Sequence, residues 1–139
     1  MKDANTRLKV GDIVENILSG AQMTIIHITS DKVFNQEIFH CAYFDKKYFM
    51  EIEIFQPEEI RFPSSSKDVE RKESDMNISD MNMQDRVLCK HQVNSDKPVM
   101  KVTGLYPTSI PHVICKWLTL DGEIQTEILP LTALKKAEY

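Results

Sequence analysis

Glycine, cysteine and long apolar runs are all scarce in this 139-residue chain. Its four glycines are too few for a glycine-rich loop that cradles phosphate, which disfavours nucleotide-binding enzymes of that kind. No segment has the roughly 18 uninterrupted apolar residues that a membrane-spanning helix needs. The three cysteines are unclustered and odd in number, which argues against a disulfide framework.

The chain also lacks an excess of basic residues. Its 17 lysines and arginines stand against 21 acidic residues, giving a formal net charge of -4. Overall charge therefore points neither to nucleic acid nor to an anionic membrane as the partner. The first residues are polar and contain no apolar segment like that of a signal peptide. We therefore expect a cytoplasmic protein that does not associate with membranes.

The chain does contain many short segments rich in Ile, Val, Phe, Tyr and Thr, which suit a pleated, half-buried surface. Turn residues separate them, above all Asp121-Gly122, and no segment has a long helical period. In each half, one trio of apolar residues falls at every second position, which places it on one face of a sheet. The trios are Phe39, Cys41 and Tyr43 in the first half and Val113, Cys115 and Trp117 in the second.

The order of the segments repeats along the chain, and four pairs of similar residues keep nearly one spacing. Chance matching among β-rich segments is the alternative explanation. The pairs are Asp12 and Asp85 (85 − 12 = 73), Met23 and Met100 (100 − 23 = 77), Cys41 and Cys115 (115 − 41 = 74), and Glu53 and Glu127 (127 − 53 = 74).

The repeat predicts an all-β protein made of two tandem small SH3-like β-barrels. Residues 7–62 form the first barrel and residues 81–137 the second. Residues 63–80 are dominated by serine and charge and are predicted to be a flexible linker, with a short exposed helix at 67–73 as the alternative. Units this small bury only about 60% of their chain surface and are marginal alone. The sequence leaves open whether the barrels pack together or stand apart.

Several of these segments resemble motifs of the YodC-like family of small bacterial proteins. The stretch Lys9-Val10-Gly11-Asp12-Ile13-Val14 is similar to the family's opening Lys-Val-Gly-Asp-x-Val motif. Gln84 and Tyr43 depart from the family's Gly and Trp. The resemblance implies an SH3-like barrel and carries over no catalytic or binding residues. The other similar stretches are residues 19–25, 41–44, 97–102, 115–118 and 129–134.

No cluster of side chains points to catalysis or to a cofactor. His40 and Cys41 are adjacent, but neighbouring residues of a strand point to opposite faces, so a base and a nucleophile would diverge. Glu51 and Glu53 would share one strand face, where solvated carboxylates ordinarily lie. The sequence therefore predicts a protein that is not an enzyme and has no cofactor.

Four side chains of the second half have the chemistry of zinc ligands, namely Cys89, His91, His112 and Cys115. Cys89 and His91 would share a face of a regular strand. His112 and Cys115 are three positions apart and would point oppositely, unless the strand breaks near Pro111. Buried cysteines and surface histidines are the alternative, and we predict no metal site.

The leading interpretation is a binding protein, and a purely structural or accessory protein with no discrete ligand is an alternative. The edge of a small barrel can accept an extended peptide, so we predict a protein or peptide partner. The alternative for the candidates in the second unit is that they fold back over the barrel end. The candidate contact residues are Lys46, Lys47, Tyr48 and Phe49 in the first unit, and Leu105, Tyr106 and Ile110 in a long loop of the second.

Nucleic acid is the second candidate partner. Small SH3-like barrels often bind it, which is an argument from fold rather than from a site. Lysines beside aromatic residues, at Lys46-Lys47-Tyr48 and Lys116-Trp117, could attract phosphates and stack on bases. Against this, Trp117 is expected on the core face and the net charge is negative.

Overall fold

The structure, a computed structural model, describes residues 8–33, 35–63, 81–93, 97–106 and 109–137. Over these residues it is all-β, as predicted, and its strands form two antiparallel sheets of five strands each. The predicted linker lies, apart from Pro63, outside the described residues, as does its alternative helix.

The first sheet is built from residues 13–61 and has the strand order β4-β3-β2-β1-β5. Strand β2 contains a bulge at Ile26, which has no partner on β3. The strands are β1 (Ile13–Asn16), β2 (Gln22–Asp31), β3 (Gln36–Phe44), β4 (Met50–Phe55) and β5 (Ile60–Arg61).

The second sheet is built from residues 86–136 and, read from its opposite edge, has the order β9-β8-β7-β6-β10. Thr103 forms a bulge on β7, as Ile26 does on β2. The two sheets therefore repeat one strand order. The strands are β6 (Arg86–Cys89), β7 (Met100–Tyr106), β8 (His112–Leu118), β9 (Ile124–Pro130) and β10 (Leu134–Lys136).

A 3₁₀ turn precedes the last strand of each sheet, at Pro57–Glu59 and Leu131–Ala133. A proline stands at the start of the first turn and directly before the second, and its fixed φ suits such entries.

The turn before the first strand also recurs in the two halves. Gly11 has φ 95° and donates its N–H to the Ile25 carbonyl oxygen at 2.8 Å. Gln84 has φ 75° and donates its N–H to the Val102 carbonyl oxygen at 2.7 Å. Gln84 therefore takes the left-handed conformation that favours glycine, although it lacks glycine's freedom.

A second turn repeats between the third and fourth strands of each sheet. In the first sheet it places Tyr48 at φ 74°, and in the second it places Gly122 at φ 86°. A side-chain oxygen at the start of each turn accepts a backbone N–H four residues on, from Phe49 to Asp45 and from Glu123 to Thr119. This is the conformation that Asp121-Gly122 predicts.

Each sheet has its own apolar cluster, built from corresponding positions of the strands. The predicted trios lie on the core face, with Trp117 buried and Tyr43 packed against the first cluster. The corresponding pairs are Val14 and Val87, Met23 and Met100, Ile25 and Val102, Phe39 and Val113, Cys41 and Cys115, Phe55 and Leu129, and Ile60 and Leu134.

The two sheets pack against each other, which answers the question that the sequence leaves open. Ile26 and Ala42 of the first sheet are buried in the cluster of the second. The Trp117 indole Nε1 donates a hydrogen bond to the Tyr48 carbonyl oxygen at 2.7 Å. The Leu120 N–H donates to the Lys47 carbonyl oxygen at 3.0 Å.

Candidate functional site

An open groove of about 630 Å³ lies on the second sheet, on the side of the sheet away from its own core. Strands β7, β8 and β9 supply most of its wall, because every second residue of each strand points to this side. Tyr48, from the first sheet, contributes to its lining. The other lining residues are Lys97, Pro98, Val99, Lys101, Thr103, Lys116, Trp117, Leu118 and Ile124.

The apolar part of the groove is exposed to solvent to an unusual degree. Leu118 and Ile124 lie directly opposite each other on β8 and β9 and are 60% and 68% exposed. Ile128, further along β9 and outside the groove lining, is also exposed. Contiguous exposed apolar side chains rimmed by polar ones are typical of interaction surfaces.

Two lysines of the groove, Lys101 and Lys116, belong to a row of like charges that extends beyond the groove to Arg86. Arg86 lies opposite Lys101, and Lys101 lies opposite Lys116, so three cations face one another across β6, β7 and β8. Like charges directly opposite in a sheet are destabilising. In the part of the chain that the structure describes, the ion pairs involve other residues, at Lys47–Asp121, Arg61–Glu15 and Lys136–Asp85.

The predicted contact residues of the first unit lie at the junction of the two sheets. Lys46 and Lys47 are exposed, and the Lys47 Nζ is 3.9 Å from the Asp121 Oδ2. Tyr48 is half-buried and lines the groove, whereas Phe49 is half-buried and does not. Tyr48 is thus the one of these four that the structure brings to the groove.

The predicted contact residues of the second unit are arranged differently from the prediction. Leu105 and Tyr106 belong to β7 and not to a loop, because pairing with β8 continues as far as Tyr106 and His112. Leu105 packs against the second cluster. Tyr106 and Ile110 are exposed, but neither lines the groove.

Sequence reasoning missed most of the groove, because it considered loops and adjacent basic and aromatic residues. Of the groove's cations, only Lys116 was singled out by the sequence, beside a tryptophan. The sequence did contain a signal for this surface. When the two halves are aligned, Lys101 is equivalent to Thr24 and Lys116 is equivalent to Ala42. Two lysines on one face of one sheet alone mark a surface that differs between the two sheets.

The cysteines are unsuited to nucleophilic or ligand chemistry. All three are buried, and burial with a nearby Glu53 raises the pKa of Cys41 to about 12. Burial with a nearby Glu127 raises the pKa of Cys115 to about 12, and burial also raises that of Cys89. A neutral thiol is a poor nucleophile and a poor metal ligand.

The histidines have other partners. The ring of His40 shares a hydrogen bond with the Thr29 hydroxyl at 3.1 Å, while Cys41 is buried in the first cluster. The His91 ring and the Thr24 hydroxyl share one of 2.7 Å that links the two sheets. Within the described residues, no group of three or more His, Cys, Asp or Glu side chains is arranged to hold a metal ion.

Comparison of the chain with protein-family models, curated proteins and solved structures gives no match. Among the described residues, no helix is long and apolar enough to span a bilayer. The groove and its residues are therefore the basis for inference about function.

Proposed function

We propose that this chain is a non-catalytic, cytoplasmic binding protein made of two copies of one SH3-like unit, which recognises a protein or peptide through the groove on the second unit. The supporting observation is the exposed Leu118–Ile124 pair on a groove whose cations have no ion-pair partner among the described residues. Facing like charges destabilise the free protein, and a partner of opposite charge would relieve that repulsion. An exposed apolar patch beside them is typical of a surface that binds a partner.

The proposed duplication is supported by agreement at three levels. Strand order is the same in both sheets, and so is the bulge on the second strand. The turns at Gly11 and Gln84 have matching hydrogen bonds. Seven buried positions of one cluster have buried counterparts in the other. Chance matching of β-rich segments has no reason to reproduce turns and bulges as well as core positions. The YodC-like resemblance fits the same proposal.

A protein partner accounts for the groove better than nucleic acid does. Base stacking needs an accessible aromatic face, and Trp117 is only 5% exposed, with its indole N–H bound to the Tyr48 carbonyl. The most exposed apolar side chains of the groove are the aliphatic Leu118 and Ile124, whereas Tyr48 is half-buried against the second cluster. The row of Arg86, Lys101 and Lys116 is the observation that favours nucleic acid, which we keep as the second candidate.

Selection from a random peptide library displayed on phage tests this proposal. The bait is the full chain, compared with Leu118→Asp, which puts a carboxylate on the groove. The matched control is Leu18→Asp, at a site that is 96% exposed and does not line the groove. We expect the full chain to enrich peptides that Leu18→Asp still binds and Leu118→Asp does not. Failure to enrich any peptide, or binding that survives Leu118→Asp, would contradict the proposal.

A further inference from the structure

The groove covers a face of the second sheet whose counterpart in the first sheet is already used for docking. The registers establish the correspondence, because Thr24 lies opposite Ala42 as Lys101 lies opposite Lys116. Similarly, Phe44 lies opposite Met50 as Leu118 lies opposite Ile124. The bulge residues Ile26 and Thr103 complete each face.

In the first sheet this face is covered by the second sheet. Thr24 and Ala42 are fully buried, and Ile26 is 2% exposed. Thr24 accepts a hydrogen bond through its hydroxyl oxygen from the His91 backbone N–H at 3.0 Å. Phe44 makes an edge-to-face contact with Trp117, with ring centroids 5.4 Å apart. The face is thus a docking surface within this molecule.

In the second sheet none of the described residues covers the same face as the second sheet covers the first, and its chemistry is changed at two places. Lys101 stands where the first sheet has Thr24, and Lys116 stands where it has Ala42. Both lysines are exposed. A further copy of the unit, docking here as the second sheet docks on the first, would bury two facing cations at a large desolvation cost. The substitutions therefore act against self-docking.

We infer that this face binds an acidic protein segment, with an apolar side chain seated on Leu118 and Ile124 and carboxylates beside Lys101 and Lys116. This inference rests on the proposed function and specifies its ligand. Charge complementarity supports the acidic ligand, because a carboxylate would relieve the repulsion between the facing lysines. Arg86, opposite Lys101, extends this row of cations. A neutral or basic segment would leave that repulsion in place.

The matched variant for the test is Lys101→Thr/Lys116→Ala, which gives the second face the residues of the first. Its control is Lys9→Thr/Lys32→Ala, which removes the same charge at two exposed lysines that do not line the groove. Circular dichroism and the unfolding temperature establish that each variant is folded before binding is measured.

The library selection described above is repeated, and synthetic peptides made from the enriched sequences are titrated in low and high sodium chloride. We expect enriched sequences with clustered Asp and Glu around an apolar residue, and affinity that falls as salt rises. We expect Lys101→Thr/Lys116→Ala to weaken binding about tenfold or more, because interfacial charge pairs contribute strongly to affinity, while the control keeps it.

Four outcomes would overturn the inference. Enriched peptides that are neutral or basic, and that need Leu118 but neither lysine, would leave the proposed function standing and remove only its acidic specificity. No enrichment at all would remove both. Tighter binding of a short fluorescein-labelled oligothymidylate, lost in Lys101→Thr/Lys116→Ala, would assign the face to nucleic acid. Concentration-dependent self-association in sedimentation, abolished by Leu118→Asp, would assign it to a second copy of the chain.

Discussion

The Trp117 indole donates its N–H to the Tyr48 backbone carbonyl. A side chain in the core of the second sheet therefore also forms a hydrogen bond to the turn between β3 and β4 of the first sheet. The same ring contacts Phe44. We expect the stability of the two sheets to be coupled through this residue, because its removal would open the second cluster and leave the carbonyl of Tyr48 without this partner.

We predict that Trp117→Phe lowers the free energy of unfolding by about 2 to 4 kcal/mol, through a lost hydrogen bond and a smaller buried ring. Urea unfolding followed by circular dichroism measures the change. Tyr106→Phe, which alters an exposed aromatic residue, is the control and should change it by less than about 0.5 kcal/mol. Equal effects in the two variants would show that the indole contributes nothing particular to the junction.

Both the backbone conformation and a close neighbouring atom require glycine at position 11. Its φ of 95° disfavours any side chain, and an added Cβ would collide with the Thr132 carbonyl oxygen of the second unit. We predict that Gly11→Ala destabilises the protein by about 2 kcal/mol or more. Gly20→Ala is matched, since Gly20 has φ 77° but open space around it, and should cost about 1 kcal/mol. Thermal unfolding that ranks the two variants in reverse order would contradict this account.

Histidines from both sheets meet at one side of the junction. The rings of His27 and His112 are stacked with centroids 5.8 Å apart, and His40 lies 6.2 Å from His27. Partial burial, followed by the charges of His112 and His40, lowers the pKa of His27 below its usual 6.5. Below pH 6.5 the unfolded chain therefore takes up the proton first, and the folded protein loses stability.

We predict that the free energy of unfolding decreases as pH falls below 6.5, and that His27→Gln removes part of this decrease. Chemical denaturation of both proteins across this range measures the difference between them. His112→Asn should reduce the same dependence, since it removes a charged neighbour of His27. Identical pH profiles for the wild type and His27→Gln would rule out this coupling.

The three cysteines give a probe of folding that is independent of ligand. Each is buried, and the pKa values of Cys41 and Cys115 are raised to about 12, so the thiolate that reacts is rare in the folded protein. We predict negligible labelling by a fluorescent maleimide in the native state and full labelling in urea. Leu18→Cys, at a site 96% exposed, should gain one rapid label. Fast native labelling of the wild type would refute burial of the thiols.

Much of the fold could be predicted from the sequence, because local rules determine it. Alternation at Val113, Cys115 and Trp117 identifies a strand and its buried face, and Asp121-Gly122 identifies a tight turn. The prediction that Leu105 and Tyr106 lie in a loop was wrong, because pairing with β8 extends β7 through both residues. Strand pairing is a non-local property that a single segment does not reveal.

The groove was harder to predict than the strands. Ala42 and Lys116 occupy the same place in their sheets, yet one is buried and the other exposed. Alternation separates the two sides of a strand, but it does not say whether the side away from the core is covered by another part of the molecule. That information lies in the packing of the first sheet on the second, which leaves the face of Leu118 and Ile124 open.

The most direct test of the account is a titration of the ¹⁵N-labelled chain with an enriched acidic peptide, followed by NMR. We predict that the largest shift changes fall on the backbone amides of Lys101, Lys116, Leu118 and Ile124, with the first sheet little affected except near Tyr48. Shift changes centred instead on the amides of β4, or on those of Tyr106 and Ile110, would place the binding surface elsewhere and contradict the account.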